Sequence, residues 1–209
     1  PKTTPLEGVF CFGPWVGMRE KKRCQWCVGD PIYEAYHDME WGVPLQEDQS
    51  LFEFLTLETF QAGLSWITIL RKRENFRLAF DGFDYRQIAK YSETKIQTLL
   101  HNAGIVRNSL KIRAAINNAQ HFQNIQEEFG SFSDYIWRFV AHQPIQNRYT
   151  HHSEIPSTTV LAKKISLDLK KRGFRFVGPT VMYAHMQATG MVNDHVVDCF
   201  RYKEIQKMA

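Results

Sequence analysis

The chain has 209 residues, 44% hydrophobic and 23% charged, with 12 glycines and 8 prolines, so it reads as soluble and globular and can bury one core or two small lobes sharing one. No run approaches the roughly 18 consecutive apolar residues that cross a membrane, and a net charge of +4 permits a polyanionic partner without demanding one. The cysteines at 11, 24, 27 and 199 are too few and too scattered for a secreted disulfide framework. They point to a reducing cytoplasm, where a buried cysteine is inert, reactive or a metal ligand.

In chain order, Pro1 to Trp15 lacks the basic-then-apolar pattern of a signal peptide. Residues 1–20 are read as a tail without an assigned role and 21–209 as a single domain. Basic runs stand at Lys21-Lys22-Arg23, Arg71-Lys72-Arg73, Lys163-Lys164 and Lys170-Lys171-Arg172, each either a solvated face or a phosphate contact. Glu47-Asp48 opens a helix in which Leu51, Phe54, Leu55 and Glu58 share one stripe. Gly63 suits its stop, and Ser65 the cap of a helix from Trp66 to Phe80. Ser92 caps a helix carrying Ile96, Leu99 and Leu100. After the Asn102-Ala103-Gly104 turn the helical pattern resumes from Ile105 to Phe122, and again from Phe132 to Ala141. The polar stretch His142 to Ser157 reads as a linker. Ser157 or Thr158 caps a helix ending at Gly173, Gly178-Pro179 opens another, and a last helix covers Asp194 to Tyr202. No period-two alternation is long enough for a sheet. The fold class is all-α.

Glu58 is the most informative residue. Sharing a stripe with Leu51, Phe54 and Leu55, it points inward, and an unpaired buried carboxylate costs several kcal/mol or takes up a proton. Either it sits at the rim and reaches water or a lysine, or it has a task. Trp26, Tyr33, Tyr36, Trp41 and Trp66 lie in nearby segments. They are core rings, or the walls of a site in which π faces hold a flat cation and the carboxylate accepts from its N–H groups.

Cys24 and His37 stand near one end, His195 and Cys199 near the other, the last pair at helical i, i+4 spacing. Two thiolates and two imidazoles suit a tetrahedral zinc ion with no open position, hence a structural site. The alternative unit is Cys24-Gln25-Trp26-Cys27 as a CxxC pair, although no βαβ context or second CxxC accompanies it.

Leu99 to Lys111 reads as helix, glycine turn, helix. Gly104 and Ile105 in the turn could present backbone N–H groups to a DNA phosphate, with Arg107 and Lys111 adding charge. An ordinary αα-corner explains the same pattern.

Taken together, Cys24-Gln25-Trp26, the run Tyr33 to Pro44, the run Leu57 to Trp66, Lys171 to Gly178 and Val192-Asn193-Asp194-His195 resemble the DNA-3-methyladenine glycosylase I family. The similarity runs from about Lys22 to about Tyr202. It implies a helix-hairpin-helix DNA glycosylase fold whose single zinc ion, held by Cys24, His37, His195 and Cys199, joins the N- and C-terminal segments. It also implies base excision repair: hydrolysis of the N-glycosidic bond of 3-methyladenine in double-stranded DNA, with the free base as product. Glu58 matches the pocket carboxylate, Trp66 the stacking ring, Tyr36 a hydrogen-bonding partner, Trp26 and Trp41 other walls, and Leu64 the wedge into the gap left by the flipped base. Strand-cleaving relatives carry a nucleophilic lysine where the alignment places Asn108, and an amide cannot attack the sugar; base release only is expected. Thr59 departs from the glycine many members have and leaves open another alkylated purine as substrate. A non-catalytic zinc-stabilised DNA-binding module is the other alternative. A monomer is expected, cytoplasmic and nucleoid-associated in a bacterium.

Overall fold

The computed structural model describes residues 21–208; the expected tail, residues 1–20, lies outside the described residues. Helices start where a polar side chain can take the free N–H groups of a first turn. Asp30 caps α1 (Pro31–Met39), accepting from the Ile32 and Tyr33 amides at 2.9 and 3.3 Å. Glu47 caps α2 (Asp48–Gln61) through its carboxylate. Ser65 precedes α3 (Trp66–Ala79), its hydroxyl paired with that of Thr68 rather than with helix amides. Asp84, Ser92, Asn108, Ser131 and Thr159 cap α4 (Tyr85–Ile88), α5 (Glu93–His101), α6 (Ser109–Phe129), α7 (Phe132–Trp137) and α8 (Val160–Lys171). Gly178 leads into α9 (Pro179–Ala188), with proline at its first position, and Cys199 into α10 (Phe200–Gln206). Among the described residues the only sheet is a parallel bridge of β1 (Ile145–Gln146) with β2 (Val192–Asn193), so the helical class holds. Among those residues no helix is long and apolar enough to cross a membrane.

Helix α2 is the hub. It packs against α3, α6, α7 and α9, and every residue from Leu51 to Phe60 is buried. The expectation of one inward stripe is therefore corrected: α2 is enclosed on all sides, and its polar residues must find partners or line a cavity. Phenylalanines dominate the packing, with Phe60 and Phe76 rings 4.8 Å apart and Phe122 stacked on Phe132 at 4.1 Å. Each such buried ring contributes about 1.5–3 kcal/mol. An ion lattice ties three helices together. Arg73 of α3 donates through Nε to Glu53 Oε1 on α2 and through Nη1 to Glu40 Oε2 just beyond α1, both at 2.6 Å.

Three other expectations shift. Helix α6 begins at Ser109, not Ile105, because Asn108 accepts from the Lys111 amide and fixes the start there. The stretch 142–157 is no loose linker. It is pinned by the β1–β2 bridge, by Asn147 Nδ2 donating to Asp194 Oδ1 at 2.7 Å, and by the Val197 amide donating to Tyr149 O at 2.9 Å. Residues 194–199 are not helical; β2 leads into a tight turn closed by Cys199 N–H to Val196 O at 2.8 Å, and α10 starts only at Phe200.

Candidate active site and metal centre

Near the C-terminal end of α2, Glu58 lines a cavity of about 280 Å³ whose other walls include Trp26, Tyr33, Tyr36, Trp41 and Trp66. That is at the small end of ligand cavities and suits one flat bicyclic ring. The six residues expected from the sequence thus meet in one place, although four elements and the turn after α1 supply them. Tyr36 comes from α1, Glu58 from α2 and Trp66 from the first position of α3. Trp26 lies in a 3₁₀ turn (Gln25–Cys27), and Trp41 follows α1. Trp26 meets Tyr33 and Trp41 edge-on at 5.0 and 5.1 Å, while Tyr36 lies 5.6 Å from Trp66.

Glu58 is 4% exposed, and its Oε2 has no hydrogen-bond partner; nor has the neighbouring Trp66 Nε1. Burial alone pushes the Glu58 carboxyl up to about 8, so at neutral pH it is mostly a neutral acid until a cation comes within reach. Burial, and then the nearby Glu58 carboxyl, holds the Tyr36 phenol well above its ordinary range. The wall is therefore apolar and aromatic, with a carboxyl and an indole N–H free to bond a guest. Thr59, next in sequence, is fully buried and forms no part of the cavity wall.

The second constellation lies behind two of these walls. Cys24, His37, His195 and Cys199 are buried with one ligand atom each, all within 4.8 Å of one another. Cys24 Sγ and Cys199 Sγ are each 3.6 Å from His195 Nδ1, and Cys199 Sγ is 3.4 Å from His37 Nε2. A tetrahedron with metal–nitrogen bonds of about 2.0 Å and metal–sulfur bonds of about 2.3 Å has edges of roughly 3.3–3.8 Å. The donor set and its spacing therefore fit a metal ion. The outward ring nitrogens are also engaged. His37 Nδ1 lies 2.8 Å from Asp38 Oδ1, and His195 Nε2 lies 3.0 Å from Trp41 O, which fixes each ring with its other nitrogen facing the centre. Asp38 in turn accepts from Arg23 at 2.8–3.1 Å. Cys27, the other half of the CxxC alternative, stands outside the cluster, its thiol donating to Cys24 O at 3.1 Å. Convergence of His195 and Cys199 arises from the tight turn, not from the helix expected.

The centre and the cavity share parts. Trp41 packs edge-on against the His195 ring at 4.6 Å, and Trp26 against the His37 ring at 5.5 Å. Gly42 stands where a Cβ would come within 3.1 Å of His195 Nε2, with a φ of +83° that also favours glycine.

Comparison with known proteins agrees with this geometry. The family model for methyladenine glycosylase matches residues 26–202. The chain belongs to the methyladenine glycosylase family. It is 49% identical to DNA-3-methyladenine glycosylase 1 of Escherichia coli (strain K12) over 181 residues, 87% of this chain and 97% of that one. Identity to the DNA-3-methyladenine glycosylase of Haemophilus influenzae is 45% over 177 residues, 85% and 96% of the two chains. A crystal structure of 3-methyladenine DNA glycosylase I superposes with a TM-score of 0.84 at 47% identity, covering 86% of this chain and 98% of that one. A Staphylococcus aureus 3-methyladenine DNA glycosylase I, solved to show its recognition of 3-methyladenine, superposes at 0.83 with 36% identity, covering 85% and 95%.

In this methyladenine glycosylase the cavity has further walls that sequence reasoning missed: Gln61, His152, Ile155, Ala184 and Gln187. Gln61 lies one turn after Glu58 and was open to inference by helical spacing. His152 and Ile155 arrive on the pinned 142–157 segment, and Ala184 and Gln187 on α9; no local pattern signals either. Residues expected at DNA divide. Leu64 is 41% exposed in the turn between α2 and α3, close in sequence to Gln61 and Trp66. Arg107 is exposed, Gly104 half-buried and Ile105 buried, and the two amides expected at a phosphate are engaged within the turn, Gly104 N–H donating to Asn102 Oδ1 at 2.8 Å and Ile105 N–H to Asn102 O at 3.4 Å. Lys111 is corrected: it is only 6% exposed, and its Nζ donates to Phe60 O at 2.8 Å and Ala62 O at 2.6 Å. It ties down the orphan carbonyls at the C-terminal end of α2 and is not free for a phosphate. Lys72, not anticipated, braces the turn by donating to Ala103 O and Gly104 O at 3.2 and 3.3 Å.

Proposed function

We propose that the protein hydrolyses the N-glycosidic bond of 3-methyladenine in double-stranded DNA, releasing the free base in base excision repair. The observation that carries this reading is Glu58, buried with an unpartnered oxygen in a ring-lined cavity of nucleobase size. Methylation at N3 makes adenine a cation. Aromatic faces attract a flat cation, and its approach favours ionised Glu58, which then accepts from the base's N–H groups. Neutral adenine brings no charge to offset the cost of ionising Glu58. The damaged base pairs poorly, so turning it out of the helix costs less than for a normal base. When the bond between the sugar's C1′ and the base nitrogen breaks, the electron pair leaves with the base and discharges its positive charge. Water then takes C1′ and sheds a proton. Glu58 holds the base and offers negative charge near the developing sugar cation.

Under the same reading, residues 21–209 act as one glycosylase domain and as a monomer on DNA, since one chain contains the whole cavity. Leu64 fills the gap left by the extruded base. The α5–turn–α6 hairpin takes a backbone phosphate through the exposed Arg107, the Gly104 and Ile105 amides being turned to Asn102. Cys24, His37, His195 and Cys199 hold one zinc ion, which supplies cross-linking and no reactive position.

The test is Glu58→Gln, which keeps size and loses charge. Release of 3-methyladenine from methylated DNA should fall at least a hundredfold, with the helical circular dichroism unchanged. Equal release rates reject the assignment.

A further inference from the structure

Asp194 is 1% exposed and lies between β2 and the ligand His195. Its Oδ2 accepts from Tyr183 Oη at 2.6 Å and from Gln187 Nε2 at 2.8 Å, and its Oδ1 from Asn147 Nδ2 at 2.7 Å. A carboxylate accepts and does not donate, so the carboxamide that meets Asp194 Oδ2 turns its nitrogen there, which orients an otherwise ambiguous amide. Gln187 must turn its nitrogen to Asp194. Its carbonyl oxygen is what remains to meet a guest in the cavity that Gln187 lines from α9. A glutamine free to rotate could offer either end and would read nothing. One held by a buried carboxylate offers an acceptor.

We propose that Gln187, aligned by Asp194, is a specificity-determining residue: an acceptor for the exocyclic amino group of a six-amino purine that disfavours six-oxo purines. The inference rests on the methyladenine reading above and deepens it. An amino group carries two N–H bonds, enough to donate to Glu58 and Gln187 together. A six-oxo purine sets an oxygen against the Gln187 carbonyl, two acceptors with no hydrogen between them, and Asp194 prevents the amide from flipping to relieve this. Asp194 acts here as a positioning residue, and Tyr183 and Asn147 complete its grip.

The experiment follows release of 3-methyladenine and 3-methylguanine from one sample of methylated DNA by wild type, Gln187→Met and Gln187→Ala. Methionine keeps the length and removes the acceptor; alanine introduces no new group and covers the case in which methionine packs badly. Release of 3-methyladenine should fall roughly tenfold while that of 3-methylguanine holds or rises, so the ratio falls by at least that factor in both variants. Titration with free 3-methyladenine and 3-methylhypoxanthine, which carry an amino and an oxo group at position six, should show wild-type preference for the amino base collapsing in the variants. If both release rates drop in proportion, or the ratio stays at the wild-type value, Gln187 is merely structural and this inference fails alone. If the wild type releases neither base, the methyladenine reading fails and takes this one with it.

Discussion

Two buried titratable residues carry opposite penalties, and the stability of the protein should record both. Burial pushes the Glu58 carboxyl up to about 8 and the His185 imidazole down to about 4. His185 is fully buried on α9, and neither ring nitrogen has a partner. For Glu58 the folded state holds a proton that the unfolded chain gives up near 4.5, so its contribution is intact below pH 4.5 and lost as pH rises to 8. For His185 the folded state refuses a proton that the unfolded chain binds below 6.5, so stability is intact above 6.5 and lost as pH falls to 4. The two slopes oppose each other between pH 4.5 and 6.5 and nearly cancel there. Each single variant should expose the other slope. Glu58→Gln should gain stability from pH 4 to 6.5 and show no loss from 6.5 to 8. His185→Phe should instead decline from 4.5 to 8. The full swing is on the order of 3–5 kcal/mol per group. Urea denaturation at pH 4.5, 6.5 and 8 measures it; a Glu58→Gln profile parallel to wild type above 6.5 rejects the assignment.

At the scale of elements, Arg73 decides how α1, α2 and α3 meet beside the cavity. Its guanidinium satisfies Glu53 and Glu40 from a position only 11% exposed. Arg73→Met fills the space but strands Glu53, itself 9% exposed, with Arg77 as its remaining partner. A loss of about 2–4 kcal/mol is expected, read as a lower thermal midpoint, with Glu53→Gln in the same chain recovering part of it. What the sequence made legible at this scale follows from physics of short range. Caps at Ser92 and Gly178, the stop near Gly173 and the aromatic segments were readable because each signal lies within a few residues of its effect. The turn at 194–199 was mistaken for helix because i, i+4 spacing also suits a tight turn leading into a helix start. The 142–157 segment read as linker because polar composition does not show that Asn147 and Tyr149 bond residues almost fifty positions away. Lys111 read as a DNA contact because charge is visible in sequence, whereas two waiting carbonyls at the end of α2 are not.

At the scale of the molecule, a metal ion held by Cys24, His37, His195 and Cys199 would cross-link distant parts of the chain, and its removal should be felt in the cavity. Cys24 and His195 are 171 positions apart, and closing a loop of that length restricts the unfolded chain by on the order of 5 kcal/mol. The same four residues pack on the cavity walls, His37 on Trp26 and His195 on Trp41, whereas Glu58 is carried by α2, which is held by α3, α6, α7 and α9. Loss of metal should therefore loosen the aromatic walls before it moves the carboxylate. Wild type should contain one zinc per chain, Cys27→Ala should retain it, and Cys199→Ala should lose it, with a lower thermal midpoint and altered tryptophan emission. In Cys199→Ala the affinity for free 3-methyladenine should drop through the missing walls even at temperatures where helical content is unchanged. Zinc retained by Cys199→Ala but lost from Cys27→Ala would overturn the ligand set. Zinc lost from Cys199→Ala with base affinity intact would mean that the clip steadies the chain ends without shaping the cavity.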